Sequence, residues 1–389
     1  MAENTLTALI PDIYAALDVT SREITGMIAG VTMDARADRA AVNQSVVVDI
    51  EPDYAAGDNI TPAMVVPDPT GETSGSTSIV ITKSKSYSFG FNGEGQRGLN
   101  TGAGYLTSRG GKIAQRIRTL VNEVEADLTA LHTTTSRAYG TAATVPFGTA
   151  GNFTDATYAK EILISNGAPD ADNHLVMSTI TAANMTGLQA SANIAGTDSI
   201  QRQGILLPLA GIDLRQSAQI KTSTAGTMSG GKTNNAGYAI GDTAFGLQNA
   251  TGTGVLVAGD VITFAGDTNK YVVASAVFAG ANPATGDVVT LAEPGLKKAV
   301  AASNVAITVT AASVRNMVFN RSAIVLAARA PARPEEGDLA TDVMMVTDPR
   351  SGLTFEFAMY KGYRKVRYEV ALAWGVKNIK PAHTALLIG

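Results

Sequence analysis

The stretch 255-VLVAGDVITFAGDTNKYVVASAVF-278 holds the clearest strand pattern in the middle of this 389-residue chain. β-Branched and aromatic residues fill the runs 255–264 and 271–278, with Gly266 and Asp267 as a turn between them. Similar short runs follow at 288–291 and 305–310. Short strands separated by turn residues at this spacing are typical of a small barrel or sandwich. We therefore predict an all-β module over 222–312, with a mobile Gly-, Asn- and Ser-rich loop in its opening part, 222–250.

The region before the module contains a second, longer strand pattern. Residues 46–50 and 79–91 alternate with a period of two, and many prolines and glycines lie between them. This pattern predicts a long two-stranded hairpin over 45–98. A two-stranded ribbon alone is marginal in water, and the sequence offers no obvious local partner, so we expect the hairpin to pack on neighbouring subunits.

Six residues of this hairpin are candidates for contact with a neighbouring subunit. Their alternative roles are a solvated edge protected by lysines and ordinary core packing of an aromatic stripe. The six are Lys83, Lys85, Tyr87, Phe89, Phe91 and Arg97.

Helical periodicity replaces the strand pattern at 111–132. One apolar stripe with a spacing of three or four residues predicts a long helix with a single buried face. Its members are Ile113, Ile117, Leu120, Val121, Val124, Leu128 and Leu131. Weaker patterns predict helices at 6–17, 21–28, 154–167 (capped by Thr154 or Asp155) and 179–190, and a short strand at 174–177.

The C-terminal part predicts antiparallel strands. Residues 354–359 and 366–374 alternate between apolar and polar or small side chains, and 348-DPRSG-352 supplies a turn before the first of them. An apolar run covers 317–328. The chain therefore mixes segregated helices and strands, an α+β class.

Composition excludes several functions. The chain has no cysteine, which excludes disulfides, thiolate metal sites and cysteine nucleophiles. Charged residues make up 16%, below the usual level of about 25%, and the formal net charge of −4 gives no basic stripe for nucleic acid. Neither a signal peptide nor a membrane-spanning run is present, so we expect a soluble protein made inside the cell.

One string fits the phosphate-binding P-loop. Residues 226-GTMSGGKT-233 include Lys232 and Thr233 at the required positions. The mechanism needs a strand before the loop and a helix after it, but 234-NNAG-237 forms no helix. A Gly-rich loop that happens to contain Lys-Thr is the preferred interpretation.

A second string, 93-GEGQRG-98, fits the dinucleotide fingerprint. No helix is expected to open there, so a flexible hinge at the base of the hairpin is favoured.

His132, His174 and His383 lack a second histidine at metal-ligand spacing. We therefore predict no catalytic, cofactor-binding or metal-binding residue and no cofactor.

The order of these elements resembles the major capsid proteins of tailed phages with the Hong Kong 97-type fold. With its β module, the chain is similar to the coat proteins of certain short-tailed phages that carry an inserted Ig-like domain. The strings that carry the similarity are 200-IQRQ-203, 209-LAGID-213, 259-GDVITFAG-266, 314-VRNMVF-319 and 370-VALAWGVKNIKP-381.

The resemblance implies a division of the chain into the parts of that fold. These are an N-terminal arm (1–44), an extended β-hairpin loop (45–98), a spine helix region (99–140), the first part of the axial and peripheral core (141–221), the inserted β-barrel or Ig-like domain (222–312), and the second part of the core with antiparallel peripheral strands (313–389).

The resemblance also implies a function: self-assembly into the icosahedral head shell around packaged phage DNA. The implied partners are further copies in pentamers and hexamers, a scaffolding protein, a portal, and double-stranded DNA held without sequence-specific binding, with no membrane. The implied location is the virion, and the host cytoplasm during assembly. The alternatives are an encapsulin-like compartment shell, a P-loop nucleotide-binding enzyme, and an adhesive all-β surface protein, which the amphipathic helix and missing export signal disfavour.

Overall fold

The computed structural model describes residues 25–34, 38–50, 60, 62, 64, 75–100, 105–149, 152–191, 206–248, 252–349 and 351–389. The predicted helix at 6–17 and most of the hairpin tip lie outside these residues. Of the predicted helix at 21–28 only the end is described, and residues 26–28 form turns there rather than a helix.

The described residues contain four α-helices, three short 3-10 helices and eighteen strands, and the predicted α+β class is confirmed. The helices are α1 (Gly93–Asn100), α2 (Tyr105–Ala130), α3 (Thr154–Ser165) and α4 (Thr179–Ser191). The first nine strands are β1 (Thr32–Asp34), β2 (Ser45–Ile50), β3 (Gly75–Val80), β4 (Lys83–Asn92), β5 (Arg137–Gly140), β6 (Asn173–Met177), β7 (Ile212–Gln216), β8 (Ala244–Gly246) and β9 (Val261–Phe264). The remaining nine are β10 (Lys270–Val277), β11 (Val288–Leu291), β12 (Ile307–Val309), β13 (Arg315–Asn320), β14 (Ile324–Arg329), β15 (Ala340–Thr347), β16 (Thr354–Gly362), β17 (Lys365–Asn378) and β18 (Thr384–Ile388).

The strands form two large sheets and one ribbon. The six-stranded sheet has the order β1-β14-β17-β16-β15, and β4 also pairs with β17. The ten-stranded sheet has the order β12-β9-β10-β5-β18-β13-β6-β7, and β8 and β11 extend it from β10. The ribbon consists of β2 and β3 alone.

The long helix α2 packs on the six-stranded sheet through its apolar stripe. Ile113, Leu120, Val124 and Leu128 are fully buried in one cluster with Trp374 of β17. This confirms the predicted buried face. Leu131, the last predicted member of the stripe, is only partly buried against that cluster.

The helix α2 begins earlier than the sequence predicts. It starts at Tyr105 rather than at residue 111 and continues through Gly110 and Gly111, where a side chain would meet no neighbouring atom. Because the buried stripe continues C-terminal to these glycines, tertiary packing outweighs their cost of about 1 kcal/mol each.

The helices and strands at 154–191 follow the predictions closely. α3 ends at Ser165, and Gly167 takes a φ of +85°, a left-handed value that glycine adopts without strain. The predicted caps are wrong, because Asn152 Oδ1 accepts the Thr154 N–H at 2.9 Å and Asp155 accepts the amide of Phe147. The predicted strand at 174–177 is β6.

The β module has its own hydrophobic cluster. The buried members run from Met228 to Ile307, and the largest of them are Phe245, Phe264 and Tyr271. The two linkers lie side by side, since Ser223 N donates to Ser313 O at 3.0 Å. The sheet of the module nevertheless continues into the core, because Lys270 and Tyr271 of β10 pair with Ala138 and Arg137 of β5.

The described residues of the opening part, 222–248, pair with the rest of the module, and the mobility predicted for this part stays a prediction. Lys232 pairs with Ala306, Thr233 with Leu247 and Tyr238 with Val300. Asn234 Oδ1 accepts the Tyr238 hydroxyl at 2.6 Å, and that hydroxyl accepts the amide of Gly246 at 2.7 Å. The polar residues that the sequence pattern assigns to a loop thus supply its internal hydrogen bonds.

The C-terminal strands are confirmed as an antiparallel pair, with Phe357 opposite Val370. The predicted turn before them is held by Asp348, whose Oδ2 accepts the Ser351 hydroxyl at 2.6 Å. The apolar run at 317–328 divides into β13 and β14, whose residues are all buried.

Candidate functional site: the root of the β-hairpin

The hairpin root consists of β4 together with the two elements that hold it, α2 and β17. β4 pairs antiparallel with β17 along ten residues, from Lys83 opposite Trp374 to Asn92 opposite Lys365. The inference that the hairpin has no partner within the chain is therefore wrong: β4 pairs with β17, and one face of the ribbon of β2 and β3 also packs on the core. β4 and β17 are almost 300 residues apart in sequence, and no local pattern indicates their pairing.

Two lysines of β4 bind acidic residues on α2. Lys83 Nζ lies 2.6 Å from Asp127 Oδ1, and Lys85 Nζ lies 2.5 Å from Glu123 Oε2. The Tyr87 hydroxyl donates to Glu123 Oε1. Since alternate residues of a strand share a face, the sequence Lys-Ser-Lys-Ser-Tyr presents all three polar ends to the helix.

The Glu123 carboxylate is the electrostatic centre of these contacts. Its hydrogen bonds raise the pKa of Lys85 and of Tyr87 above their ordinary values. Burial alone would raise the pKa of Glu123, but the hydrogen bonds from Lys85 and Tyr87, together with the charges of Lys85 and Lys83, outweigh that effect, and the pKa is lowered from its ordinary value. All three groups therefore keep the protonation states that favour the contact at neutral pH.

The aromatic residues of β4 are buried in the core and covered by cations of α2. Phe89 lies 5.3 Å from the ring of Tyr368 and is 8% exposed. The Arg116 guanidinium lies 5.0 Å from the centre of the Phe89 ring, and Lys112 Nζ lies 4.4 Å from that of Phe91. These distances are within the range of cation–π attraction.

The end of β4 leads directly into α1, where the sequence predicts a flexible hinge. The predicted hinge is wrong, because residues 93–98 form most of the helix α1. Asn92 caps the N-terminus of this helix, since its Oδ1 accepts the amide of Gly95 at 2.7 Å. No βαβ unit surrounds it, since β4 pairs antiparallel with β17. Arg97 lies in the last turn of α1 and is exposed.

The structure thus gives an intramolecular role to most of the six candidate contact residues. Lys83, Lys85 and Tyr87 bind α2. Lys85 is nevertheless exposed, and β4 pairs only with β17 among the described strands, so the alternative of a solvated edge stays open for these lysines. Phe89 and Phe91 take the alternative role of core packing. Contact of the six with a neighbouring subunit stays a prediction.

Beyond the root, the ribbon of β2 and β3 packs by one face only. Val46, Ile79 and Ile81 are buried against β14 and β17. On the other face Val47 is 58% exposed, and the tip residues Ile60 and Met64 are fully exposed. The ribbon therefore projects apolar side chains that the described part of this chain does not cover.

Sequence reasoning missed two anchoring groups on α2. Trp374 Nε1 donates to Asp127 Oδ2 at 2.8 Å. The buried Glu125 accepts the amides of Met27 and Ile28 at 2.8 and 3.0 Å, which fixes the turn at the start of the described chain. In the sequence, Asp127 and Glu125 are visible only as acidic residues beside the apolar stripe. Their partners are 247 and 98 positions away, at Trp374 and Met27, so no local pattern reveals them.

The P-loop string has no phosphate cradle. Thr227 and Met228 donate their amides to Val255 O, and the amide of Ser229 binds Thr253 O. Thr233 is fully buried, donates to Ser303 O at 3.1 Å and accepts the Val305 amide at 3.0 Å. These three amides and this hydroxyl are already paired, and no helix follows the string at 234–241, so its local structure differs from that of a P-loop.

The histidines also form no metal site. Within the described residues, no group of three or more acidic or histidine side chains could hold a metal ion. His174 is fully buried beside Asp172, and burial lowers its pKa, an effect to which nearby Arg215 adds.

None of the helices in the described ranges is long and apolar enough to cross a membrane.

No family model matches the chain, and no curated protein matches it. Among solved structures it is similar to the capsid of the cyanophage P-SCSP1u, with 10% identity and a TM-score of 0.48 over 95% of this chain and 89% of that one. It is similar to the capsid of a native GTA particle, with 13% identity and a TM-score of 0.45 over 94% and 90% of the two chains. It is also similar to a virus-like particle from Pyrococcus furiosus, with 10% identity and a TM-score of 0.43 over 97% and 99%.

Proposed function

We propose that this chain is the major capsid protein of a tailed phage and builds the icosahedral head shell around packaged DNA. The observation that carries the proposal is the projecting ribbon. It exposes Val47 and Val80 on one face, while its root is fixed by β17 and α2. A rigidly rooted ribbon with an uncovered apolar face is suited to lie across a neighbouring copy.

The remaining architecture supports a role in assembly. The 26-residue helix α2 packs along the six-stranded sheet, as a spine helix does. Many modest interfaces of this kind add up in a closed symmetric shell. Pentamers and hexamers, a scaffolding protein and a portal belong to the proposal as partners, and the virion and host cytoplasm as locations.

The six predicted contact residues have a place in this proposal. Lys83, Lys85, Tyr87, Phe89 and Phe91 would set the direction of the ribbon, and the exposed Arg97 would meet the neighbour directly. The enclosed double-stranded DNA would meet a shell of low charge, since the net charge of the chain is −4. Such a wall would not grip the packaged DNA.

The absence of enzymatic activity is part of the proposal. Its support is the pairing of the P-loop amides and of Thr233 within the module.

An encapsulin-like compartment differs from a phage head in its contents. Particles that enclose a protein cargo in place of DNA would contradict the phage assignment but keep the shell function.

The ribbon can be tested by a charged substitution on its exposed face. Val47→Arg should reduce particle yield at least tenfold, as measured by sedimentation, because it places a charge in the proposed interface. The matched control is Val277→Arg at the end of β10, where the valine is 69% exposed. Normal assembly of Val47→Arg, or equal loss in both variants, would contradict the role of the ribbon.

A further inference from the structure

A groove of about 640 Å³ lies at the hairpin root, where β4 ends and β17 begins. Its lining comes from the last part of β4, from α1, from α2 and from the first residues of β17. The apolar members of this lining are Phe89, Phe91, Leu99 and Val366. Leu99 and Val366 are half-buried, and Tyr363, in the turn before β17, is 89% exposed. The root therefore has an open apolar groove that the described part of the chain does not fill.

The charged residues that line the groove are all cations. They are Lys112, Lys365 and Arg367, and no acidic side chain is among the described lining residues. Arg367 pairs with Glu369 at 3.0 Å, whereas Lys112 and Lys365 have no ion-pair partner within the described ranges. The groove therefore favours an occupant that offers both apolar and acidic side chains.

The hairpin tip, residues 51–74, has this composition. It contains no lysine, arginine or histidine. Its two large apolar residues that the structure describes, Ile60 and Met64, are fully exposed. The tip also has five acidic residues, which are Glu51, Asp53, Asp58, Asp68 and Glu72. The tip is thus complementary to the groove in charge, and it offers apolar side chains to the apolar lining.

The tip and the groove of one chain belong to opposite ends of β17. Lys365, the first residue of this strand, lines the groove. Near the other end, Lys377 Nζ donates to Ser78 O of β3 at 3.0 Å. Lys365 and Lys377 are about 40 Å apart along an extended strand. Since the tip precedes Gly75, the first residue of β3, it joins the ribbon at the end remote from the groove.

We propose that the groove receives the hairpin tip of a second copy of this chain. The inference rests on the proposed shell function, and it names the surface on which the ribbon of a neighbour ends. Ile60 and Met64 contact the apolar lining, and acidic residues of the tip bind Lys112 and Lys365. Because tip and groove are different surfaces of the same chain, the contact is head-to-tail. Such contacts close into a ring when the rotation between copies permits, as pentamers and hexamers require.

The test is disulfide cross-linking of the full-length protein, which has no cysteine of its own. Met64→Cys and Val366→Cys are combined in one chain, and oxidised glutathione is added. A disulfide forms only where the two Cα atoms approach to within about 7 Å. Each copy then has one cysteine in the tip and one in the groove. We therefore expect a ladder of covalent dimers, trimers and larger species on a denaturing gel, which a reductant removes.

The controls isolate the contact between tip and groove. Each single variant can form dimers at most. The pair Met64→Cys and Val277→Cys moves the second cysteine to the end of β10, where the valine is 69% exposed, and this pair should give no ladder. Leu99→Cys is a second position in the groove, on α1, and should also give the ladder when combined with Met64→Cys.

The charge of the groove is tested by Lys365→Glu in the background of Met64→Cys and Val366→Cys. This change should lower the cross-linked fraction about fivefold, which is the upper range for a surface ion pair. The matched control is Lys221→Glu, at an exposed lysine in the first linker of the module, and it should leave the fraction unchanged.

The absence of a ladder, or an equal ladder from the pair with Val277→Cys, would overturn the inference, as would a cross-link confined to single chains. Electron microscopy of the same samples separates this result from the shell function. Closed particles without a ladder would contradict the groove contact and leave the shell function standing. A ladder without closed particles would support the contact and contradict the shell.

Discussion

Trp374 and Asp127 join the sheet to the long helix through one hydrogen bond. The indole Nε1 of Trp374 donates to Asp127 Oδ2 at 2.8 Å, while Oδ1 of the same carboxylate lies 2.6 Å from Lys83 Nζ. The Lys83 ammonium also lies 5.9 Å from the centre of the indole ring. A single carboxylate of α2 therefore holds both β17 and β4.

Asp127→Ala should destabilise the protein by about 1–3 kcal/mol, because it leaves the buried indole N–H without an acceptor. Denaturant unfolding of the full chain measures this change. Asp127→Asn, which keeps an acceptor oxygen for Trp374, should lose less. Asp49→Ala is the matched control on the exposed edge of β2, and it should change the free energy of unfolding by less than about 0.5 kcal/mol. A loss in Asp127→Ala no greater than in this control would contradict the anchoring role.

Glu123 predicts a specific dependence of stability on pH. Its pKa is lower in the folded chain than its ordinary value of 4.5, so folding favours its ionised form. The stability that it contributes is present above pH 4.5 and is lost as the pH falls through the folded-state pKa. The difference in unfolding free energy between wild type and Glu123→Gln should therefore shrink between neutral and strongly acidic pH.

Chemical unfolding at several pH values measures that difference, and subtracting the variant removes the contribution of the other carboxylates. Tyr87 has the opposite effect on the pH dependence of stability. Its pKa is raised in the folded chain, so the stability that it contributes is lost at strongly alkaline pH. A difference between wild type and Glu123→Gln that stays constant from pH 7 to acid would contradict the contact.

Glu125 has two opposing effects on stability. Burial raises its pKa, an effect that hydrogen bonds from the backbone, led by Met27, partly offset. Glu125→Gln keeps only one acceptor oxygen for two amides, so we expect a loss of about 1–3 kcal/mol rather than a gain. Glu94→Gln, at an exposed position of α1, is the matched control. A more stable Glu125→Gln would mean that the cost of burying the charge exceeds the value of its hydrogen bonds.

The sequence predicts the elements whose pattern is local. The buried stripe of α2 has a helical period, and β16 and β17 alternate with a period of two, so each could be located from the residues alone. The short runs of the β module also carry a local pattern, and Val288–Leu291 is a strand at its predicted bounds. Local periodicity is strong where one face of an element is buried and the other is not.

The missed features depend on contacts between distant parts of the chain. The pairing of β4 with β17 leaves no periodic pattern in the sequence of either strand. The hydrogen bond from the Met27 amide to Glu125 leaves none in the two segments that it joins. α1 is rich in glycine, and its cap Asn92 is a polar residue that also fits a turn. β18 is short and apolar, and its role in the ten-stranded sheet depends on β5 and β13 as neighbours. These features follow from tertiary packing, which overrides local propensity.

The central claim is that many copies of this chain close into a shell, and electron microscopy tests it most directly. The purified full-length protein should be imaged by negative stain alone, at rising concentration, and after co-expression with a scaffolding protein. We predict closed particles of uniform diameter in at least one of these conditions. Monodisperse monomers in every condition would contradict the account.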